Sequence, residues 1–275
     1  MYPLSGGART HGRRGVARGS DDTIVPLRST AGRRLAGAFD RLTWGAPVIV
    51  GSGLMAGAFA ADFAAEAGTL VFAAGVANSA CADDREFVRE RQRLDAALGA
   101  IGPDATVVYF GTCSVRNPEV AASAYVRHKL AMEARVRARG RHLILRLPQV
   151  AGRTSNPHTL LNYLHARIRR SERFALWSGS RRNVIDVADV AALGRALLRD
   201  GAIAETVDVA PERNHTIPEI VAVFERLTGK RALFDCVDRG SGAALDTRRI
   251  APLLAAAGVD FGGDYLERTL RRYYA

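Results

Sequence analysis

At 275 residues the chain is long enough for one large domain, or one domain with a small lobe, built around a proper core. Its 48% hydrophobic and 24% charged residues are ordinary for a globular enzyme. No apolar run reaches the roughly 20 residues of a membrane helix, which excludes a helical membrane protein. The net charge of +11 raises the question of nucleic-acid or anionic partners. Much of it lies before residue 45, where Arg9, Arg13, Arg14, Arg18, Arg28, Arg33, Arg34 and Arg41 face Asp21, Asp22 and Asp40. No aromatics interleave these arginines as a stacking surface requires, so a basic tail over residues 1–30 is expected rather than a nucleic-acid arm. The start of the chain lacks the apolar stretch of a signal peptide. The scattered Cys81, Cys113 and Cys236 have no metal-ligand spacing and fit free thiols in a reducing compartment. A cytoplasmic protein without a metal is the expectation.

In chain order, Ala31–Leu42 has weak helical character, and Pro47–Val50 is a buried-strand run that stops at Gly51-Ser52-Gly53. Leu54–Ala65 reads as a helix, Thr69–Ala74 as a strand ending in Gly75, and Asp83–Leu98 as a helix. Thr106–Phe110 is a third strand, Ala121–Ala138 a long helix and His142–Leu147 a fourth strand. This rhythm predicts parallel strands with helices on both faces and ligands at the strands' carboxyl ends. Beyond Gly152 come helices at Thr159–Arg170, Ala188–Leu198, Ile217–Thr228, Arg248–Ala257 and Tyr265–Tyr274, with strands at Asn183–Val187 and Glu205–Val209. The division expected is a dinucleotide-binding core over 31–152 and, over 153–275, a substrate lobe interleaved with core elements.

Between the first strand and its helix, Gly51-Ser52-Gly53-Leu54-Met55-Ala56-Gly57 has the form of a dinucleotide loop. Gly51 would permit a tight turn, Gly53 a close approach to a pyrophosphate, and Ala56 or Gly57 close helix packing. The helix N-terminus would supply N–H donors to the phosphates. The acid expected about 20 residues on is missing from a second strand end, because Asp62 and Glu66 come too early; NAD and NADP both stay open. Tyr125 and Lys129, four apart, share one helix face. An ammonium beside a phenol favours phenolate and is expected to bring the tyrosine's pKa towards neutrality, suiting it to pass a proton to or from a substrate oxygen. Directly after the third strand stands Gly111-Thr112-Cys113-Ser114, whose hydroxyl can stabilise charge on a reacting carbonyl oxygen.

Together these elements resemble the short-chain dehydrogenase/reductase superfamily, in particular its extended, nucleotide-sugar branch of epimerase/dehydratase-like enzymes, from about residue 46 to the C-terminus. The resemblance implies a Rossmann-type α/β fold with a small C-terminal substrate lobe. It matches Thr112, Tyr125 and Lys129 to the family's catalytic hydroxyl, tyrosine and lysine. Val71-Phe72-Ala73-Ala74-Gly75 looks like the strand end along the nicotinamide ribose, which Lys129 would also hold. Leu145–Gly152, with Pro148 on the cofactor and Gln149 on the substrate, looks like the strand and turn after the catalytic helix. Arg182, in Arg182-Asn183-Val184-Ile185-Asp186, matches an arginine that grips the nucleotide diphosphate. Ser114, Asn156, His158 and Asn162 complete the implied substrate contacts. Homodimerisation through the catalytic helix is common in the family.

Two departures matter. From Gly51 to Ala74 there are too few residues for the family's second and third strands, so the sheet should be shortened on the adenine side, with residues 25–44 covering the edge beside the glycine-loop strand. The Asp-Glu pair of family dehydratases is replaced by Cys113-Ser114, which disfavours dehydration and leaves ketone reduction, alcohol oxidation and epimerisation. Asn156-Pro157-His158 resembles the histidine site of epimerase/reductases, but His158 reads equally as a surface or capping residue. Cys113 reads as a buried filler rather than an acid, and His128 as structural. Asp186 and Asp189 read as a helix cap and a solvated charge. The expected activity is NAD(P)-dependent reduction or epimerisation of a nucleotide-activated sugar. The alternative is a non-catalytic dinucleotide-binding or RNA-associated Rossmann module.

Overall fold

The structure, a computed structural model, describes residues 25–26, 47–63 and 66–275. Short apolar runs give its strands: β1 (Val25–Pro26), β2 (Val48–Val50), β3 (Thr69–Phe72), β4 (Thr106–Thr112), β5 (His142–Leu147), β6 (Gln149–Ala151), β7 (Phe174–Trp177), β8 (Arg181–Arg182), β9 (Val184–Asp186), β10 (Glu205–Asp208), β11 (His215–Thr216) and β12 (Phe234–Val237). The helices are α1 (Leu54–Asp62), α2 (Asp84–Ala100), α3 (Ala124–Arg137), α4 (Leu160–Arg169), α5 (Val187–Arg199), α6 (Ile217–Thr228), α7 (Leu254–Ala257) and α8 (Tyr265–Tyr274).

The main sheet runs β1-β2-β3-β4-β5-β10. Every neighbouring pair from β2 to β10 is parallel, with Val50 opposite Phe72, Phe72 opposite Tyr109, Thr112 opposite Leu147 and Asp208 opposite Arg146. The central strands are mainly apolar because each face is covered, and alternate residues divide between two cores. Ile49, Val71, Val108, Leu143 and Leu145 meet Phe59 of α1, Phe63 at its C-terminal cap, and Val190, Leu193 and Leu197 of α5. Leu70, Phe72, Val107, Tyr109 and Ile144 meet Leu94 and Leu98 of α2 and Met132 and Val136 of α3. Gly194 lets α5 press on α1; a Cβ there would stand 3.1 Å from the Phe59 ring.

The sheet is shortened as expected. Among the described residues, the glycine-loop strand β2 has on its outer side only β1, which pairs antiparallel with it through Val25–Ile49 and Pro26–Val48. Proline suits such an edge because it has no N–H to leave unpaired. Val25 and Pro26 fall in the stretch 25–44 expected to cover this edge. The expected tail over 1–24 and the helix at Ala31–Leu42 lie outside the described residues.

Downstream, β10 and α5 return to the main sheet. A separate core forms from α4, α6, α8 and β7, around Leu161, Leu164, Phe174, Leu176, Ile220, Phe224 and Leu270. α6 begins at the Thr216 cap, where Thr216 and Glu219 bond reciprocally, and ends at Gly229, whose φ of +66° only glycine adopts freely. The helix expected at Arg248–Ala257 shrinks to a 3₁₀ turn at Ala251–Leu253 and α7, since Pro252 has no N–H for an earlier turn and Gly258 ends the helix. Asp186 caps α5 by accepting from Ala188 N–H at 2.9 Å and also accepts from Tyr273 and Arg272. Asp189 is not the solvated charge expected: it is half-buried and accepts from the Tyr265 hydroxyl at 2.5 Å.

Candidate active site

The carboxyl ends of β2 to β5 open onto a cavity of about 630 Å³, closed on its far side by β8 and the loops after β6 and β12. At the end of β2, Gly51 has φ +126°, and a Cβ would lie 2.6 Å from the Ala73 carbonyl carbon and oxygen. Its glycine is therefore demanded by the crossing of β2 against the end of β3, where Ala73 N–H bonds Val50 O at 2.7 Å. Gly51 does not line the cavity. Gly53, Leu54 and Met55 do, and the space beside Gly53 is open. In the same turn Ala56, not Gly57, is the small buried residue; Gly57 is exposed and nothing approaches it. Ala73 and Gly75 line the cavity from β3, whereas Ala74 turns away and packs with Val50 against the α2–α3 core.

β4 brings Thr112, Cys113 and Ser114 to the cavity. The Thr112 hydroxyl accepts from Ser114 N–H at 3.1 Å, capping the 3₁₀ turn Cys113–Arg116 and keeping its own hydrogen to donate. Cys113 is buried, with its thiol 3.3 Å from the Arg146 carbonyl. Burial, reinforced by the Asp208 carboxylate, pushes that thiol far up and keeps it protonated. Ser123 caps α3 through Val126 N–H, and the helix places Tyr125 and Lys129 on its buried face at the cavity.

Beneath them lies a polar cluster absent from the sequence reading. Glu90 of α2 is 1% exposed and accepts four hydrogen bonds. Oε1 takes Tyr109 O–H at 2.7 Å and Lys129 Nζ at 3.1 Å, and Oε2 takes Val76 N–H at 2.7 Å and His128 Nε2 at 2.9 Å. Burial by itself would raise the Glu90 pKa, but the Lys129 charge and the bonds from His128, Val76 and Tyr109 hold it down to about 2. Lys129 directs its remaining hydrogens to Tyr109 Oη at 3.2 Å and Phe110 O at 3.4 Å. All three ammonium donors thus have protein acceptors. His128 is structural, as expected, stacked on Phe87 with ring centroids 4.4 Å apart. The signal for Glu90 was present: Phe87, Glu90, Leu94 and Ala97 follow helical spacing, so the carboxylate sits in the buried stripe of α2.

The cluster corrects the expectation for Tyr125. Its phenol shifts up, not towards neutrality. Burial is the largest cause; Lys129 and the Thr112 hydroxyl pull the other way, while Glu90 and Cys81 add to the rise.

From β5 the chain passes Pro148 and Gln149, both lining the cavity, and Gly152, where a Cβ would meet Leu54 at 2.5 Å. Asn156 and His158 line its mouth, and His158 is exposed. Asn162 does not reach the cavity. Its amide donates to Thr154 O and Asn156 O at 3.0 and 2.8 Å and accepts from Tyr274, so it shapes the loop that carries Asn156. Arg182 lines the opposite side and donates to Ser241 O at 3.0 Å, tying β8 to the loop after β12. Among the described residues no cluster of His, Cys, Asp or Glu could hold a metal, and no helix is long and apolar enough to cross a membrane.

A nicotinamide dinucleotide meets uneven conditions here. The α1 N-terminus carries no acidic residue in its first turn and no side-chain cap, and with the open space at Gly53 it fits a diphosphate. Ala73, Gly75, Thr112, Tyr125, Lys129 and Pro148 line the same cavity beyond it. Among the described residues the adenine end meets only β1 beyond β2 and no acid at a second strand end.

The sequence matches no protein-family model and no curated protein. Solved structures do match. UDP-glucuronic acid 4-epimerase from Bacillus cereus, in complex with UDP-glucuronic acid and NAD, is 16% identical with a TM-score of 0.61, over 76% of this chain and 74% of its own. dTDP-glucose 4,6-dehydratase from Bacillus anthracis, in complex with NAD, is 15% identical with a TM-score of 0.59, over 81% and 78%. RMD from Pseudomonas aeruginosa, complexed with NADPH, is 18% identical with a TM-score of 0.58, over 74% and 79%. The chain therefore has the Rossmann-type α/β fold of these enzymes, the fold that the short-chain dehydrogenase/reductase resemblance implied.

Proposed function

We propose that this chain is an NAD(P)-dependent oxidoreductase or epimerase of nucleotide-activated sugars in which Tyr125 moves the proton. The observation that carries the reading is convergence: Thr112, Tyr125 and Lys129 border the same cavity as Gly53, Pro148, Gln149 and Arg182. The structural neighbours that bind NAD or NADPH and, in the epimerase, a UDP-sugar support it. A nicotinamide, when bound, would supply or accept the hydride. Thr112 would donate its hydroxyl hydrogen to the reacting carbonyl oxygen, and Tyr125 would give or take the proton there. Lys129 would act on Tyr125 by charge; contact with a ribose requires giving up an acceptor, of which Phe110 O is the most distant. Residues 31–152 would then hold the cofactor and 153–275 the sugar nucleotide. From the second half Arg182 would grip the diphosphate while Asn156 and His158, with Ser114 and Gln149 from the first half, face the sugar.

Tyr125→Phe, assayed on a panel of 4-keto sugar nucleotides with NADH and NADPH, should lose about 10²- to 10⁴-fold in turnover. Wild-type-like activity in that variant overturns the mechanism. The shortened adenine side favours the non-catalytic alternative. Calorimetry with NADH, NADPH and RNA separates the two, since a binding module would take a ligand and turn over nothing.

A further inference from the structure

Glu90 is a buried charged group to which the reaction above assigns no part. Four hydrogen bonds surround its carboxylate, and no cavity wall includes it. A carboxylate buried this deeply is unfavourable unless paired, and its partner is the Lys129 ammonium, one helical turn from Tyr125. A lone ammonium would act on the phenol with its full charge. With Glu90 Oε1 at 3.1 Å from that ammonium, Tyr125 instead faces two opposed charges, and the carboxylate works against the lysine.

The geometry points to Glu90 as a positioning residue for Tyr125: it anchors the Lys129 ammonium and opposes its charge, so Tyr125 enters the reaction as a protonated phenol that donates to a carbonyl oxygen. This rests on the role of Tyr125 given above. The groups that face Tyr125 come from every neighbouring element. Lys129 shares its helix, Glu90 comes from α2, Thr112 and Tyr109 from β4, and Cys81 from the loop after β3. His128 turns to Glu90, and Glu133 acts on Tyr109 rather than directly. Burial of Tyr125 works in the same direction as Glu90.

The consequence is a bias in direction. In ketone reduction the carbonyl carbon takes hydride from a reduced nicotinamide dinucleotide and the oxygen takes the Tyr125 proton. The dinucleotide leaves oxidised, and the phenolate recovers a proton from solvent. Alcohol oxidation needs the phenolate first, so it is the half-reaction that this arrangement slows.

The test titrates Tyr125 in the full chain without ligand, by tyrosinate absorbance with Tyr125→Phe as the blank. A protein inactive on every sugar nucleotide would sink the functional reading yet leave this titration intact. Wild type should ionise above free tyrosine. Glu90→Gln should lower the midpoint by at least about one pH unit, a tenfold gain in phenolate at fixed pH. The double variant Glu90→Gln/Lys129→Gln removes both charges and should return to within about half a unit of wild type. An unmoved phenol in folded Glu90→Gln overturns the inference. Should that variant not fold, a double variant whose phenol titrates more than about one unit above wild type does so as well, because Lys129 then acts unopposed. A merely structural Glu90 would change melting temperature and leave the midpoint where it was.

Discussion

Gly75 and Lys129 meet edge to edge under the cavity: a Cβ on Gly75 would stand 2.7 Å from Lys129 Nζ and 3.0 Å from Glu90 Oε1. The end of β3 can pass over the buried ion pair only because residue 75 has no side chain. The glycine that the family resemblance assigned to the cofactor is thus also part of the packing that holds the lysine. Gly75→Ala should destabilise the fold by about 1–3 kcal/mol through overpacking and lower turnover at the same time. Thermal melts and kcat measured on one preparation check this; a variant with wild-type melting and turnover would show that the ammonium moves aside freely.

Two glycines of the β2–α1 loop should respond in opposite directions. Gly51 combines φ +126° with backbone 2.6 Å from any Cβ, so Gly51→Ala should cost more than the roughly 1 kcal/mol of an ordinary strained glycine replacement. Gly57 lies within α1, exposed, with open space around it. Gly57→Ala should stabilise by roughly 0.5–1 kcal/mol, since alanine loses less backbone freedom in a helix. Urea unfolding of the two variants separates them.

Acid should weaken the fold partly through Glu90. Its folded pKa, about 2, lies below the ordinary 4.5. Such a group adds stability above the unfolded value and loses it as pH falls towards the folded one. Between pH 7 and pH 3 wild type should therefore lose roughly 2 kcal/mol more than Glu90→Gln. Parallel stability curves for the two proteins over that range would contradict the pairing with Lys129.

Arg182→Lys should raise the KM for a sugar nucleotide by about tenfold or more while kcat stays within a few-fold, because an ammonium cannot form the bidentate bonds of a guanidinium to phosphate oxygens. An unchanged KM would place the diphosphate elsewhere on the cavity wall.

Much of this was written locally in the chain. The runs Val48–Val50, Thr69–Phe72, Thr106–Thr112 and His142–Leu147 are apolar because both sheet faces are covered, and the helices between them carry their own caps and spacing. The shortness of the interval from Gly51 to Ala74 similarly left room for one helix and one strand, α1 and β3. Thr112, Tyr125 and Lys129 stood out since each follows a strand end or a helical spacing. The sequence by itself thus determined the sheet, its short edge and the residues at its mouth. What Lys129 touches could be decided only when α2 packed on α3 and β4, because Glu90 is 39 positions away and its charge acts through space in a buried, weakly screened site. The same packing sent Asn162 to the loop carbonyls instead of the cavity and made Gly51 a matter of strand crossing. Proximity in space, which no linear spacing encodes, turned an ordinary tyrosine–lysine pair into an arrangement of Glu90, Lys129, Tyr109 and Tyr125 drawn from two helices and a strand.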